Sequence, residues 1–268
     1  RTKTYREEIL QMYRVSFVIQ YENRENLEKY ASLIASSGYN GIEIGIKDPR
    51  VINHGEIKDI ISKFNLSVPA LGTGRAFTED KVSLSDNNEM IRMDAIERLK
   101  AHIDLASRLS SMVIVGLIRG NTSNDGDINL VRDALRDICE YGNSKGVRVL
   151  LEPINRYEVN WLNTVEDTYN FIKDSGLSNT GLLIDTFHMN IEEPSIASSI
   201  FRFRDLVWHV HIADSNRLSP GMGHINFKDI FRVLSAVDYN GFISAELINK
   251  PSVESSITQT MKYLKGIL

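Results

Sequence analysis

Four residues stand where apolar strands should not carry them. Leu150-Leu151-Glu152-Pro153, Leu183-Ile184-Asp185-Thr186, Val210-His211-Ile212-Ala213 and Ser244-Ala245-Glu246-Leu247 each place an ionisable side chain at the end of a short apolar run. A buried charge without a partner costs on the order of several kcal/mol, so each demands an explanation. Any one alone would read as a salt-bridged strand end or a helix cap. Four of them at separations of 33, 26 and 35 residues read as one constellation. Three clustered carboxylates repel one another unless a positive charge sits among them. A divalent cation meets that need, and three oxygen donors with one nitrogen suit Mn²⁺, Mg²⁺ or Co²⁺. A structural zinc site would want thiolates, and the lone Cys139 falls in a helical pattern.

The elements that must position these residues follow a rhythm. Short β-branched runs at 14–19, 41–46, 67–73, 111–117, 148–154, 180–187, 207–214 and 241–247 read as strands. Helical patterns at 25–37, 56–64, 89–109, 129–145, 165–174, 195–204, 227–236 and 253–266 alternate with them. Ser37-Gly38, Lys145-Gly146 and Ser175-Gly176 supply helix stop signals. Eight units of about 34 residues, with no Gly/Ser-rich or Pro-rich linker, predict one α/β domain over 1–268, a single (β/α)₈ TIM barrel. An open doubly wound sheet would want a glycine fingerprint after the first strand, where Gln20-Tyr21-Glu22-Asn23 stands instead. Met12 directly precedes strand 1, so residues 1–11 read as an N-terminal extension. The four residues then share the C-terminal rim of the barrel, where barrel active sites sit.

Composition excludes several classes. Apolar residues at 42% and charged residues at 25% exclude a disordered chain or a fibre. No apolar run is long enough for a membrane span, and the polar, mixed-charge start offers no secretory signal. One cysteine fits a reducing cytoplasm, and a net charge of −4 with interspersed signs argues against a nucleic-acid partner. The expectation is a cytoplasmic protein acting on a small molecule, with self-association to a homo-oligomer left open. Of the other histidines, His209 shares a strand face with His211 one layer deeper and reads as structural or supporting. His54 and His102 read as surface residues, and His224 lies in a Gly-rich loop.

The segments 151–158 (LEPINRYE), 184–193 (IDTFHMNIEE) and 211–217 (HIADSNR) resemble the ketose 3-epimerases, typified by D-tagatose and D-psicose 3-epimerases, within the xylose-isomerase-like barrels. The likeness is dense over 148–246; before that, Gly41-Ile42-Glu43-Ile44 is its clearest piece. The resemblance implies that Glu152, Asp185, His211 and Glu246 bind one divalent metal, Mn²⁺ first, with Co²⁺ or Mg²⁺ as alternatives. It implies that Glu152 and Glu246 are the acid/base pair, and that Glu158, His188 and Arg217 hold the carbonyl and neighbouring hydroxyls of the substrate. The implied reaction inverts C3 of a ketose through a cis-enediolate, one glutamate removing the C3 proton and the other returning one from the opposite face.

The front of the rim departs from a neutral-sugar pattern. Arg75 follows strand 3 in Gly72-Thr73-Gly74-Arg75, and Arg119 follows strand 4 in Gly116-Leu117-Ile118-Arg119. Guanidinium groups pair with planar oxyanions, which points to a keto-sugar acid of the hexulosonate or uronate type. The alternative is that either arginine pairs with a loop acid such as Glu43, Glu79 or Asp80. Rival activities are an aldose–ketose or hydroxypyruvate-type isomerase, a keto-inositol dehydratase, an apurinic endonuclease and a sugar-binding barrel without catalysis. The endonuclease would need further histidines on strands 3 and 4, where glycines stand; a mere binder has no need of two glutamate bases.

Overall fold

A computed structural model describes residues 13–267; the expected extension at 1–11 lies outside the described residues. Eight parallel strands follow one another around a closed barrel in chain order. They are β1 (Arg14–Gln20), β2 (Gly41–Gly45), β3 (Ala70–Gly72), β4 (Met112–Val115), β5 (Val149–Leu151), β6 (Thr180–Asp185), β7 (Val207–Ile212) and β8 (Phe242–Ala245). β8 closes on β1 through the pairs Arg14–Phe242 to Phe17–Ala245. The helices are α1 (Arg24–Ser37), α2 (His54–Lys63), α3 (Gly74–Asp80), α4 (Glu89–Leu109), α5 (Asp125–Lys145), α6 (Val165–Ser175), α7 (Thr186–Glu192), α8 (Ile196–Arg202), α9 (Phe227–Ala236) and α10 (Val253–Ile267).

Local signals explain the boundaries. Asn23 caps α1, its side-chain oxygen accepting from the Asn26 N–H at 2.9 Å, and Gly38 ends it at φ 98°. Gly176 ends α6 at φ 65°, a conformation that glycine adopts without strain. The apolar stripe of each helix packs outside the barrel wall in one continuous cluster, whereas Ala70, Ile114, Leu150 and Leu183 fill a separate cluster with Met112 and Trp208. No described helix is long and apolar enough to cross a membrane.

Two expectations need correction. The sixth strand stops at Asp185 rather than running to 187: the Asp185 carboxylate accepts from the Phe187 N–H at 2.8 Å and opens α7 there. His102 is not at the surface. It lies on the buried face of α4 with Leu99, Ile103 and Ala106, its ring nitrogens 2.7 Å from the Arg98 carbonyl and 2.9 Å from that of Ile46. His54 is half-buried at the start of α2.

Candidate metal and active site

The four rim residues come together. Glu152 stands one residue past β5, Asp185 ends β6, His211 is next to last in β7, and Glu246 follows β8. One potential ligand atom from each lies within 4.8 Å of the others. Three of these side chains carry buried polar atoms without a hydrogen-bond partner: Glu152 Oε1, Asp185 Oδ2 and His211 Nδ1. Buried polar atoms are ordinarily paired, so three orphans at one spot mark a position for something that accepts their lone pairs. Hard carboxylate oxygens with one imidazole nitrogen fit a divalent cation of the Mn²⁺, Mg²⁺ or Co²⁺ type.

The neighbours determine which atom of each residue is available. Asp185 spends Oδ1 on the α7 cap, which leaves Oδ2 free. His211 faces Glu43 of β2 through Nε2 at 2.9 Å, so Nδ1 is the free nitrogen, 3.5 Å from Glu246 Oε2. The second oxygen of Glu43 is 2.7 Å from His209 Nε2, and His209 in turn contacts the Ser244 hydroxyl at 3.0 Å. His209 is thus a buried supporting histidine beneath His211, as its strand position implied. Glu43 is no loop acid pairing with an arginine: it is a buried strand residue held between two imidazoles. A carboxylate within the run Gly41-Ile42-Glu43-Ile44 was the signal that could have revealed it, because a buried charge needs a partner.

The electrostatics divide the cluster. Burial pushes the Glu152 carboxyl well above the ordinary range, with the Glu246 charge adding to it. Burial likewise raises Asp185, to about 6, against the pull of Arg217. Glu246 is held low: burial opposes its charge, but the proximity of His211 and Arg217 prevails. Glu43 is lowered to about 2, the His211 and His209 interactions outweighing its burial. The raised pair are carboxylates crowded into a dry site, and the lowered pair are those that lie against His211, His209 or Arg217.

The three residues expected to hold substrate ring this cluster. Arg217, at φ 60°, donates to Glu158 Oε1 at 3.0 Å and to Glu246 Oε2 at 3.2 Å, with its guanidinium 4.9 Å from the centre of the Phe187 ring. Asp214 fixes the loop that presents Arg217, accepting backbone N–H groups from Ser215, Gly221 and Ile225. His188 is buried, its Nε2 3.9 Å from Glu152 Oε1 and 3.8 Å from Asp185 Oδ2; burial and then Arg217 depress its pKa to about 3, so the ring is neutral. Asn155, not singled out in the sequence, bridges Glu158 and His188. A cavity of about 200 Å³ is lined by Glu152, Glu158, His188, His211, Arg217 and Glu246, and Gly45, Gly72, Gly74 and Gly116 also face it.

The structure does not bring the two front arginines together on the cavity: one is enclosed and the other is paired. Arg119 is fully enclosed: it donates to the carbonyls of Gly116, Glu152, Trp161 and Leu162, tying the fourth loop to the fifth, and burial lowers its pKa to about 10. Its partners are carbonyls on the loops that cover it, and it does not line the cavity. Arg75 does reach the cavity wall but is already matched, to Glu79 at 2.6 Å, to Glu22 at 3.5 Å and to the Tyr21 carbonyl at 2.7 Å.

Comparison with known proteins agrees with this geometry. The pattern of the xylose isomerase-like TIM barrel family matches residues 31–267. The L-ribulose 3-epimerase of Methylomonas sp. strain DH-1 is 31% identical over 235 residues, covering 85% of this chain and 80% of that protein. The 3-dehydro-D-guloside 4-epimerase of Escherichia coli K12 is also 31% identical, over 83% of this chain and 87% of its own. The crystal structure of 3-keto-D-glucoside 4-epimerase from E. coli, in its apo form, superimposes with a TM-score of 0.83 at 26% identity, covering 95% of this chain and 99% of that one. The chain therefore belongs to the xylose isomerase-like TIM barrels, and within them to the sugar epimerases.

Proposed function

We propose that the protein is a divalent-metal-dependent epimerase that inverts the carbon beside the ketone of a keto sugar, with C3 of a ketose as the first reading. The convergence of orphaned Glu152 Oε1, Asp185 Oδ2 and His211 Nδ1 carries the proposal. Glu152, Asp185, His211 and Glu246 would hold the ion, Mn²⁺ before Co²⁺ or Mg²⁺. The ion would supply Lewis acidity that polarises the substrate's ketone and makes the neighbouring C–H more acidic.

The remaining work falls to the chain itself. Glu152 and Glu246 follow β5 and β8, which bracket β6 and β7, and this separation supports an approach to the substrate carbon from two sides. One removes the proton and the other delivers one to the opposite face, each positioned group contributing about 10²–10⁴-fold. Arg217 and His188 place donors beside the oxygen that gains charge as the proton leaves. Glu158, bonded to both Arg217 and Asn155, orients Arg217 and accepts from a substrate hydroxyl. Burial of Glu152, Asp185, His188 and His211 limits the access of bulk water to the inner part of the site, while Glu158, Arg217 and Glu246 are half-buried at its mouth.

The likeness to a 4-epimerase acting on 3-keto sugars supports a second position for the same chemistry: C4 beside a C3 ketone. The keto-acid substrate loses its support, because Arg119 is enclosed and Arg75 is paired. A neutral keto sugar is the better fit. The single buried cysteine keeps to the reading of a cytoplasmic protein.

The test begins with metal-stripped protein titrated with Mn²⁺ by calorimetry. One ion should bind, and His211→Ala should abolish that binding. Neutral ketoses and 3-keto glycosides are then offered to the loaded protein, and products are read by NMR. Inversion beside the ketone supports the proposal; turnover that leaves that centre unchanged, or full activity without metal, overturns it.

A further inference from the structure

Asn155 lies in the loop after β5 and is 1% exposed. Its amide orientation is determined twice over. Oδ1 accepts from the Tyr157 N–H at 3.0 Å, and Nδ2 lies 2.9 Å from Glu158 Oε1, an oxygen that only accepts when ionised. The same Nδ2 is 2.7 Å from His188 Nδ1, and the Asn155 backbone N–H points to that nitrogen at 3.5 Å. Two donors aimed at one ring nitrogen require it to carry a lone pair. Turning the ring over would set a C–H against the amide instead, and lose the bond. A neutral imidazole with its lone pair on Nδ1 carries its proton on Nε2. That Nε2 faces the two orphaned oxygens, Glu152 Oε1 and Asp185 Oδ2, at 3.9 and 3.8 Å, too far for a hydrogen bond to either and so free for a third group.

We infer that Asn155 is a positioning residue that locks His188 as the Nε2–H tautomer, so that a neutral proton donor faces a substrate oxygen at the site. The identity of that oxygen as the ketone rests on the epimerase reading; the tautomer does not. The opposite tautomer would present a lone pair to an oxygen that gains negative charge as the neighbouring proton leaves, and would oppose the reaction.

The experiment is ¹⁵N NMR of the ring nitrogens in histidine-labelled, Mg²⁺-loaded protein, with the His188 signals assigned by their loss in His188→Gln. The wild-type protein should show Nδ1 unprotonated and Nε2 protonated. Asn155→Leu, close in size but unable to donate, should shift His188 toward a mixture of tautomers and lower kcat roughly tenfold or more, with little change in KM. Should that variant fold poorly, Asn155→Ala, which also lacks a side-chain donor, is read in the same way. A wild-type His188 carrying its proton on Nδ1 overturns the inference before any variant is made. So does an Asn155 variant with both tautomer and kcat unchanged. Failure of the wild-type protein to epimerise any keto sugar would sink the proposed function, while leaving the tautomer measurement to stand or fall independently.

Discussion

Strands β5 to β8 and strands β2 to β4 share one parallel pairing around one barrel, yet they end in opposite ways. The first group ends in Glu152, Asp185, His211 and Glu246; the second ends in Gly45, Gly72 and, one residue beyond β4, Gly116. One wall concentrates charge that the interior cannot tolerate alone, and the facing wall meets the cavity with glycines interspersed among Gln20, Thr73, Arg75 and Thr78. The two sides are not independent. Gly116 stands so close to Glu152 that an added Cβ would lie 2.5 Å from its Oε2, and Glu43 reaches from β2 across the barrel to orient His211. Space on one wall is therefore a condition for the charge geometry on the other.

The comparison is broken most severely on the charged wall. Glu246→Gln should lower kcat by about 10²–10⁴-fold, measured with metal content determined in the same samples. Near-normal turnover would remove Glu246 from the chemistry. On the glycine wall, Gly116→Ala should cost about 10²-fold in kcat, because the new methyl displaces the Glu152 carboxylate and misplacement of about 1 Å has effects of that size. An unchanged rate would show that the two walls are uncoupled.

Glu43→Gln tests the link across the barrel. It leaves His211 in place but weakens the acceptor that orients it, so Mn²⁺ affinity by calorimetry should fall roughly 10–100-fold. The rise in melting temperature on adding Mn²⁺ should shrink in parallel, since stabilisation by a ligand follows its affinity. The front arginines should matter least for catalysis. Arg119→Met should destabilise by about 2–4 kcal/mol in urea titrations, because buried carbonyls lose their donor, without favouring neutral ketoses over keto acids. Arg75→Ala should change kcat/KM for neutral ketoses and keto acids equally, since its guanidinium already faces Glu79 and Glu22. A selective loss on the acids would restore the anion site.

The charged wall was legible in the sequence because strand periodicity and spacing both act along the chain. Glu152, Asp185, His211 and Glu246 interrupt apolar runs about one βα unit apart, and no knowledge of partners is needed to see it. What stayed hidden depends on contacts between distant segments. Glu43 carried a warning as a charge inside β2, but which histidines it meets, 166 and 168 residues away, only the closed barrel decides. Arg119 looked like a rim residue because its register is right; the fourth and fifth loops fold over it instead. Asn155 sits in an irregular loop where periodicity says nothing. His102 is different: it falls three residues after Leu99 and four before Ala106, on the apolar stripe of α4, so helical periodicity already placed it inside.

The central claim is that Glu152 and Glu246 exchange a proton on the carbon beside a ketone at one metal centre. It is tested most directly by incubating the Mn²⁺-loaded protein with a neutral ketose in D₂O and locating the label by NMR after metal removal. The account predicts deuterium at C3 in both epimers, with C1 unlabelled, and loss of the exchange in Glu152→Gln and Glu246→Gln. Label entering at C1 with formation of an aldose, or inversion at C3 without any deuterium from solvent, would contradict it.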